Sequence, residues 1–216
     1  MKEELDIIFA DQQLVVVNKP GGLLAVPGRG PDKQDSVVSR FKKQFPRAIE
    51  QPAVHRLDMA TSGLMALART TEAHRHLSGQ FSQRQVEKIY IALLAGAVAE
   101  ERGKIELRFR LDPDNRPYQV YDPVQGKVGI TYWRRLALCG SEVHPQTRIE
   151  FLPLTGRTHQ LRLHAAHSLG LGCPIIGDSL YGTGQRGDPM YLHATYLALN
   201  HPRSNQRLEF YSPASF

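Results

Sequence analysis

The segment AVHRLDMATSG, residues 53–63, sets Asp58 two residues after Arg56 in a turn-like run of Thr, Ser and Gly. A free aspartate has a pKa of about 3.9, so this carboxylate is ionised at neutral pH and can serve as nucleophile or base. A second chemical group lies in VEKIYIALLAG, which alternates as a strand does. Lys88, Tyr90 and Ala92 then share one face, and Ile89, Ile91 and Leu93 share the other. The Ile/Leu face reads as core and the first could offer a cation and a phenol to a cleft, although a tyrosine on a strand is more often plain packing. A third lies in GRTHQ, where Arg157 falls at a predicted strand-to-helix junction, a place where sites are often built.

Other chemistries lack their residues. No GxxxxGK[ST] loop occurs, no GxGxxG follows a strand, and GTGQRG stands alone without that context. No GxSxG elbow surrounds Ser62. His164 and His167 are three apart on a predicted helix, but no third ligand is spaced to complete a metal site. Cys139 and Cys173 have no CxxC partner and read as reduced, structural thiols. What survives is one carboxylate, several arginines, a tyrosine and a basic surface, with neither metal nor cofactor expected.

These groups need a scaffold, and 216 residues at 41% hydrophobic can bury one. No repeat, linker or low-complexity tract divides the chain, so one domain over 1–216 is expected. DIIFAD and LVVVNK read as a hairpin, left by the Gly/Pro-punctuated NKPGGLLAVPG. Asp35 is placed to cap a helix through SVVSRFKKQF, with Val37, Val38, Phe41 and Phe45 as its apolar stripe and Pro46 as its stop. GLMALART reads as a strand, which puts Asp58 in the loop entering it. Thr70 then caps a helix with Ala73, Leu77 and Phe81 inward. KVGITYWRRLAL and TRIEFLPLTG read as two long strands, and GRTHQLRLHAAHSLG as a helix with Leu161, Ala165 and Leu169 inward.

The formal charge of +6 suggests a polyanionic partner. Basic residues gather at Lys42, Lys43 and Arg47, and again at Arg108, Arg110, Arg116, Lys127, Arg134 and Arg135, interleaved with Tyr118, Tyr121 and Trp133. This second set reads either as a solvated surface or as a groove offering cations to phosphates and rings to unpaired bases. No run of 18 apolar residues exists and MKEELDIIF is no signal peptide, so cytoplasmic residence is expected.

HRLDMATSGLMALA resembles the catalytic motif of the RluA family of pseudouridine synthases. NKPGGLLAVPG, EKIYIAL, GRTHQLRLH, PIIGDSLYG and YLHATYLALNHP resemble further blocks of that family, in its order, across nearly the whole chain. The resemblance implies a mixed α/β (α+β) catalytic domain on a long, mainly antiparallel sheet with a central cleft. It implies isomerisation of uridine to pseudouridine in RNA, without metal or cofactor. A monomer is expected and, because the matched blocks begin almost at residue 1, so is the absence of the N-terminal RNA-binding domain that many relatives carry.

Carried over position by position, the resemblance makes Asp58 the catalytic carboxylate, as nucleophile or as base toward a sugar proton. Arg157 is its charge partner, and Tyr90 the active-site tyrosine that stacks on the base and is tied to removal of the carbon 5 proton. Arg56 falls where such enzymes fill the gap left by a flipped nucleotide. His55, Lys88, Thr158 and Arg116 complete the expected substrate-binding set, and Leu57, Thr61, Ser62 and Gly63 support the loop. Met59 and Ala60 resemble the short family type that modifies both transfer RNA and large-subunit ribosomal RNA. HAAHSLGLGC departs from that type by about one extra helical turn, and Cys173 stands where His is usual. The expected substrate is therefore a uridine in a stem-loop of ribosomal RNA, transfer RNA or both. A non-catalytic RNA-binding module on the same fold would need no such acid, and a nucleoside hydrolase would want a second carboxylate that the matched blocks lack.

Overall fold

A computed structural model describes residues 4–216, so Met1–Glu3, part of the leader argument, lie outside the described residues. The chain forms two compact units: one runs up to Lys88 and resumes over His193–Ser215, and the other comprises Ile89–Leu192 with Phe216.

In the first unit, the expected hairpin pairs β1 (Asp6–Ala10) with β2 (Leu14–Lys19). Asp11 shapes its turn by accepting hydrogen bonds from the Gln13 and Leu14 amides at 2.7 and 2.9 Å. β2 continues antiparallel to β3 (Ser62–Ala68), from Leu14 opposite Ala68 to Lys19 opposite Gly63. β3 also pairs in parallel with β9 (Leu192–Asn200), over Ser62 with His193 and Gly63 with Ala194, and β10 (Arg207–Tyr211) lies antiparallel on β9. The uninterrupted apolar runs of β2 and β3 match strands buried on both faces, with Leu14–Val17 and Met65–Ala68 fully buried.

Two helices belong to this unit. α1 (Val37–Gln44) is capped by Ser36 and not by Asp35. The helix begins at Val37, so the neighbouring Ser36 hydroxyl reaches the Ser39 amide (3.0 Å) while Ser39 Oγ accepts from the Ser36 amide (2.8 Å). Asp35, one residue too early, accepts from Arg40 Nε and Nη2 at 3.0 and 2.9 Å. Phe45 sits past the last turn, half-buried against Phe41 and beneath the Arg69 guanidinium. α2 (Thr71–Ser82) is capped by Thr70 as expected, and Ala73 and Leu77 join Leu14, Val16, Leu64, Ala66, Leu197 and Phe210 in one core, with Phe81 at its edge.

In the second unit β4 (Glu87–Ala95), β8 (Pro145–Pro153), β7 (Lys127–Gly140), β5 (Arg102–Leu111) and β6 (Gln119–Tyr121) are neighbours in that order, all antiparallel. The long β7–β8 pair is the one the sequence predicts. β4 departs from its expected pattern: Ala92 and Leu94 are fully buried and Ile91 is nearly so, whereas Leu93 is only half-buried. Both faces of this half are covered, so period-2 alternation does not mark an outside. α3 (Gln160–Ala166) buries Leu161 and Ala165, but Leu169 is 58% exposed, because His167 turns extended and ends the helix.

The basic stripe is also reassigned. Trp133 is buried over Gly103, where a Cβ would stand 2.9 Å from the indole. Arg110 pairs with Asp122, Arg134 with Glu150, and Arg135 donates to the Val98 and Ala99 carbonyls. Arg116, Tyr118, Tyr121 and Lys127 remain exposed. Among the described residues, no helix is long and apolar enough to cross a membrane.

Gly63 holds φ +110°, and a Cβ there would meet the Ala194 carbonyl oxygen at 2.4 Å. Gly63→Ala is expected to lower the unfolding free energy by about 2–4 kcal/mol, from backbone strain plus a clash that only strand separation relieves. Gly22→Ala, at φ +84° with nothing within 4 Å, should lose only about 1 kcal/mol. Urea unfolding of the two variants measures the difference.

Candidate active site

The loop that carries Asp58 is held to β3 at both ends. Its incoming arm takes the place of a paired strand: Ala68 N–H donates to the Pro52 carbonyl at 2.8 Å, Ala53 bridges Leu67, and Ala66 N–H donates to His55 Nε2 at 2.9 Å. Its outgoing arm closes a turn, Thr61 N–H to Asp58 O at 3.1 Å, and enters β3 at Ser62. Leu57 and Thr61 point inward, whereas Arg56 and Met59 are exposed.

His55 Nε2 accepts a backbone amide, so the ring is neutral and its proton is on Nδ1. Burial drives its pKa down to about 3, and the nearby Lys88 ammonium adds to the shift. The ring stacks on Phe81 at 4.4 Å, which fixes the arm against α2. His55 is thus a support of the loop.

Lys19, quoted in the NKPGG block but given no role there, is a further member of this site. Its side chain is fully buried, and Nζ donates to the carbonyls of Pro20, Leu23 and Met59 at 2.9, 2.7 and 3.0 Å. The Gly22 amide donates to the same Met59 oxygen at 2.9 Å. Burial lowers the Lys19 pKa to about 7, and the negative charge of Asp58 works against that shift. The ammonium therefore ties the residue after Asp58 to the loop leaving β2 and supplies a positive charge beside the acid.

At the far end of the loop, Ser62 Oγ lies 2.8 Å from His193 Nδ1 on β9. His193 Nε2 lies 3.1 Å from the Ser212 carbonyl, which also accepts from Thr195 Oγ1 at 2.6 Å.

In the second unit, Tyr90 is half-buried on β4, in register with Phe151 of β8. Arg157 and Thr158 are exposed in the corner between β8 and α3. Gln160 builds that corner. Its Oε1 accepts from Thr155 Oγ1 (2.7 Å) and the Arg157 amide (3.1 Å), while Nε2 donates to Ile130 O and Thr131 Oγ1 at 3.0 and 2.9 Å. Arg157 Nε reaches the Val128 carbonyl at 3.4 Å.

His159 adopts φ 56°, and its Nδ1 lies 2.9 Å from the Tyr181 hydroxyl, which also accepts the Gln119 amide at 2.7 Å. That hydroxyl joins the corner bearing Arg157 and Thr158 to the end of the loop bearing Arg116. Tyr181 is placed by Asp178, whose Oδ1 accepts the Leu180 and Tyr181 amides at 2.8 and 3.1 Å and whose carboxylate holds Arg162 in a buried bidentate pair at 2.8 and 2.6 Å. Burial opposes ionisation of Asp178, but the Arg162 hydrogen bonds and charge outweigh it and keep the carboxyl below its usual range.

Asp58, Arg56, His55 and Lys88 thus belong to the first unit, and Tyr90, Arg116, Arg157 and Thr158 to the second. Lys19, His193, Gln160, Arg162, Asp178 and Tyr181 are the supports that the motif reading missed. The available signal was polar residues within apolar blocks, such as Arg162 in HQLRLHAA. Among the described residues, no group of three or more His, Cys, Asp or Glu could hold a metal, and both cysteines are free thiols.

A family profile described as RNA pseudouridylate synthase matches residues 13–167. The chain is 41% identical over 215 residues, 98% of its length and 94% of the relative's, to the dual-specificity RNA pseudouridine synthase RluA of Pasteurella multocida (strain Pm70). It is 38% identical, with the same two coverages, to the Escherichia coli (strain K12) protein of that name. Among solved structures, it is similar to human RNA pseudouridylate synthase domain containing 1, with a TM-score of 0.78 and 30% identity, covering 98% of this chain and 84% of that one. The chain belongs to the RNA pseudouridine synthase family, enzymes that isomerise uridine to pseudouridine in RNA.

The histidines give a pH prediction. A group whose folded pKa is lowered is less protonated in the fold, so stability is lost as pH falls below the unfolded value of about 6.5. For His55 this window runs down to about 3, and for the buried His164, also lowered by burial, down to about 4. Removing the titration with His55→Gln, which keeps a neutral acceptor, should flatten the decline between pH 6.5 and 4 by roughly 2 kcal/mol. Urea unfolding at stepped pH values reads it; parallel curves for the two proteins would contradict the assignment.

Proposed function

We propose that Asp58 is the carboxylate that drives the isomerisation, that Arg157 is its charge partner, that Tyr90 meets the target base, and that the substrate is a uridine in a stem-loop of ribosomal RNA, transfer RNA or both. The observation that carries this reading is the set of constraints converging on the Asp58 loop. A buried ammonium, a neutral histidine and a strand entry point all fix a short segment whose one carboxylate is that acid. Such fixing suits a group that must meet a reacting carbon in one geometry.

The reaction breaks the bond from uracil N1 to the sugar C1′, turns the base and joins its carbon 5 to the same C1′. The carbon 5 proton leaves and N1 gains one, so the composition is unchanged. The Asp58 carboxylate either attacks C1′ or takes a sugar proton. Tyr90, half-buried on β4, suits a ring that stacks on the base and a hydroxyl within reach of carbon 5. Arg56 is exposed two residues from the acid, as a side chain that fills the space of an extruded nucleotide must be. Lys88, Thr158 and Arg116 are assigned to the RNA backbone and His55 to support of the loop. The names of the RluA relatives support dual specificity toward RNA, and Met59 and Ala60 favour ribosomal and transfer RNA as the two substrates; the proposed place of action is the cytoplasm.

Asp58→Asn should abolish tritium release from RNA labelled at carbon 5 of uridine while leaving RNA binding and the unfolding midpoint nearly unchanged; a wild-type rate would sink the assignment. For the substrate, mapping pseudouridines by carbodiimide-dependent reverse-transcription stops in a strain lacking the gene should show one or two stops lost from stem-loops. An unchanged map in a strain with no compensating relative would refute it.

A further inference from the structure

We infer that His193 is a positioning residue for the reaction, acting through Ser62 to hold the Asp58 loop at its exit into β3; this rests on the reading of Asp58 as the catalytic acid. The tautomer of His193 follows from its surroundings. Nε2 faces the Ser212 carbonyl at 3.1 Å, which can only accept, and the Ser212 hydroxyl at 3.2 Å, which can accept as well, so a proton on Nε2 suits both neighbours. Burial holds the ring's pKa below its ordinary value, which keeps the other nitrogen unprotonated. Nδ1 is therefore an acceptor, and the Ser62 hydroxyl at 2.8 Å donates to it.

This contact stands where the backbone pairing is short. β3 and β9 pair over two residues only, Ser62 with His193 and Gly63 with Ala194. Gly63 is in the left-handed region and lies so close to Ala194 that no side chain fits between them. Four residues upstream is Asp58, joined to this point by the turn from its carbonyl to the Thr61 amide. Lys19 secures the loop on the β2 side through Met59 O, and the Ser62–His193 contact secures it on the β9 side. Ser212 in turn holds His193, and its amide is itself bonded to the Thr195 carbonyl at 2.8 Å. The segment after β10 is thereby connected to the position of the acid.

The test separates the two hydrogen bonds of His193. An asparagine places its amide oxygen near the Nδ1 position and keeps an acceptor for Ser62, whereas a glutamine places its amide near Nε2 and keeps only the Ser212 side. Single-turnover tritium release is measured on total RNA labelled at carbon 5 of uridine, taken from a strain lacking the gene. Ser62→Ala and His193→Gln should each lower the rate at saturating enzyme about tenfold, as a small displacement of a reacting group does, with the half-saturating enzyme concentration unchanged. The double variant should be no slower than either single one, and His193→Asn should restore the rate. A wild-type rate in Ser62→Ala, additive losses in the double variant, or a His193→Asn protein as slow as His193→Gln would each overturn the inference. Asp58→Asn is the control: release from it at the wild-type rate would overturn the reading of the acid itself, and the inference with it.

Discussion

The Lys19 ammonium is the interaction around which the first unit is arranged. A fully buried cation is costly unless its donors are satisfied, and here all three bonds go to backbone carbonyls. Those carbonyls belong to the chain leaving β2 and to the residue after Asp58. Desolvating one charge therefore organises two loops at once, and the carboxylate supplies the opposing charge without which burial would weaken the ammonium further. Proline and glycine at positions 20–22 let the chain curl around Nζ. Gly21 passes so close to the Asp58 loop that a Cβ would stand 3.2 Å from Ala60 O.

The second unit solves the same problem with neutral and paired groups. Gln160 satisfies four partners from within the first turn of α3, so the corner bearing Arg157 is fixed before any charge is considered. The Arg162–Asp178 pair sits beneath it, where loss of either partner would strand a charge at a cost of about 3–5 kcal/mol. Such a pair specifies one arrangement more than it adds stability. It holds Tyr181, and Tyr181 holds the loops on either side.

Much of the fold was legible from periodicity and capping chemistry: the hairpin, the β7–β8 pair, and Thr70 at the start of α2. The failures have physical causes. Asp35 and Ser36 are both good caps, and only the backbone decides which faces the first free amide. Alternation in β4 could not say which face was core, because both were covered. Trp133 counts as an exposed aromatic by composition, yet it packs over a glycine supplied by another strand. Asp58, Arg56 and Arg157 could be proposed because each stands in a block that is local in sequence. Lys19 and His193 were not, since their partners lie 40 and 131 residues away.

The first unit is discontinuous, and this bears on the order in which the protein is made. β3 leaves the ribosome long before its parallel neighbour β9, and the whole second unit must be synthesised between them. Until residues 193–212 emerge, the Ser62–His193 contact cannot form and Gly63 is without its neighbour Ala194. The last step of folding is then the closing of a very long loop, for which each doubling of length adds only about 0.6 kcal/mol of entropy. A nascent chain carrying the whole Asp58 loop is accordingly still without one neighbour of that loop, and the part that supplies it is the strand translated after the second unit.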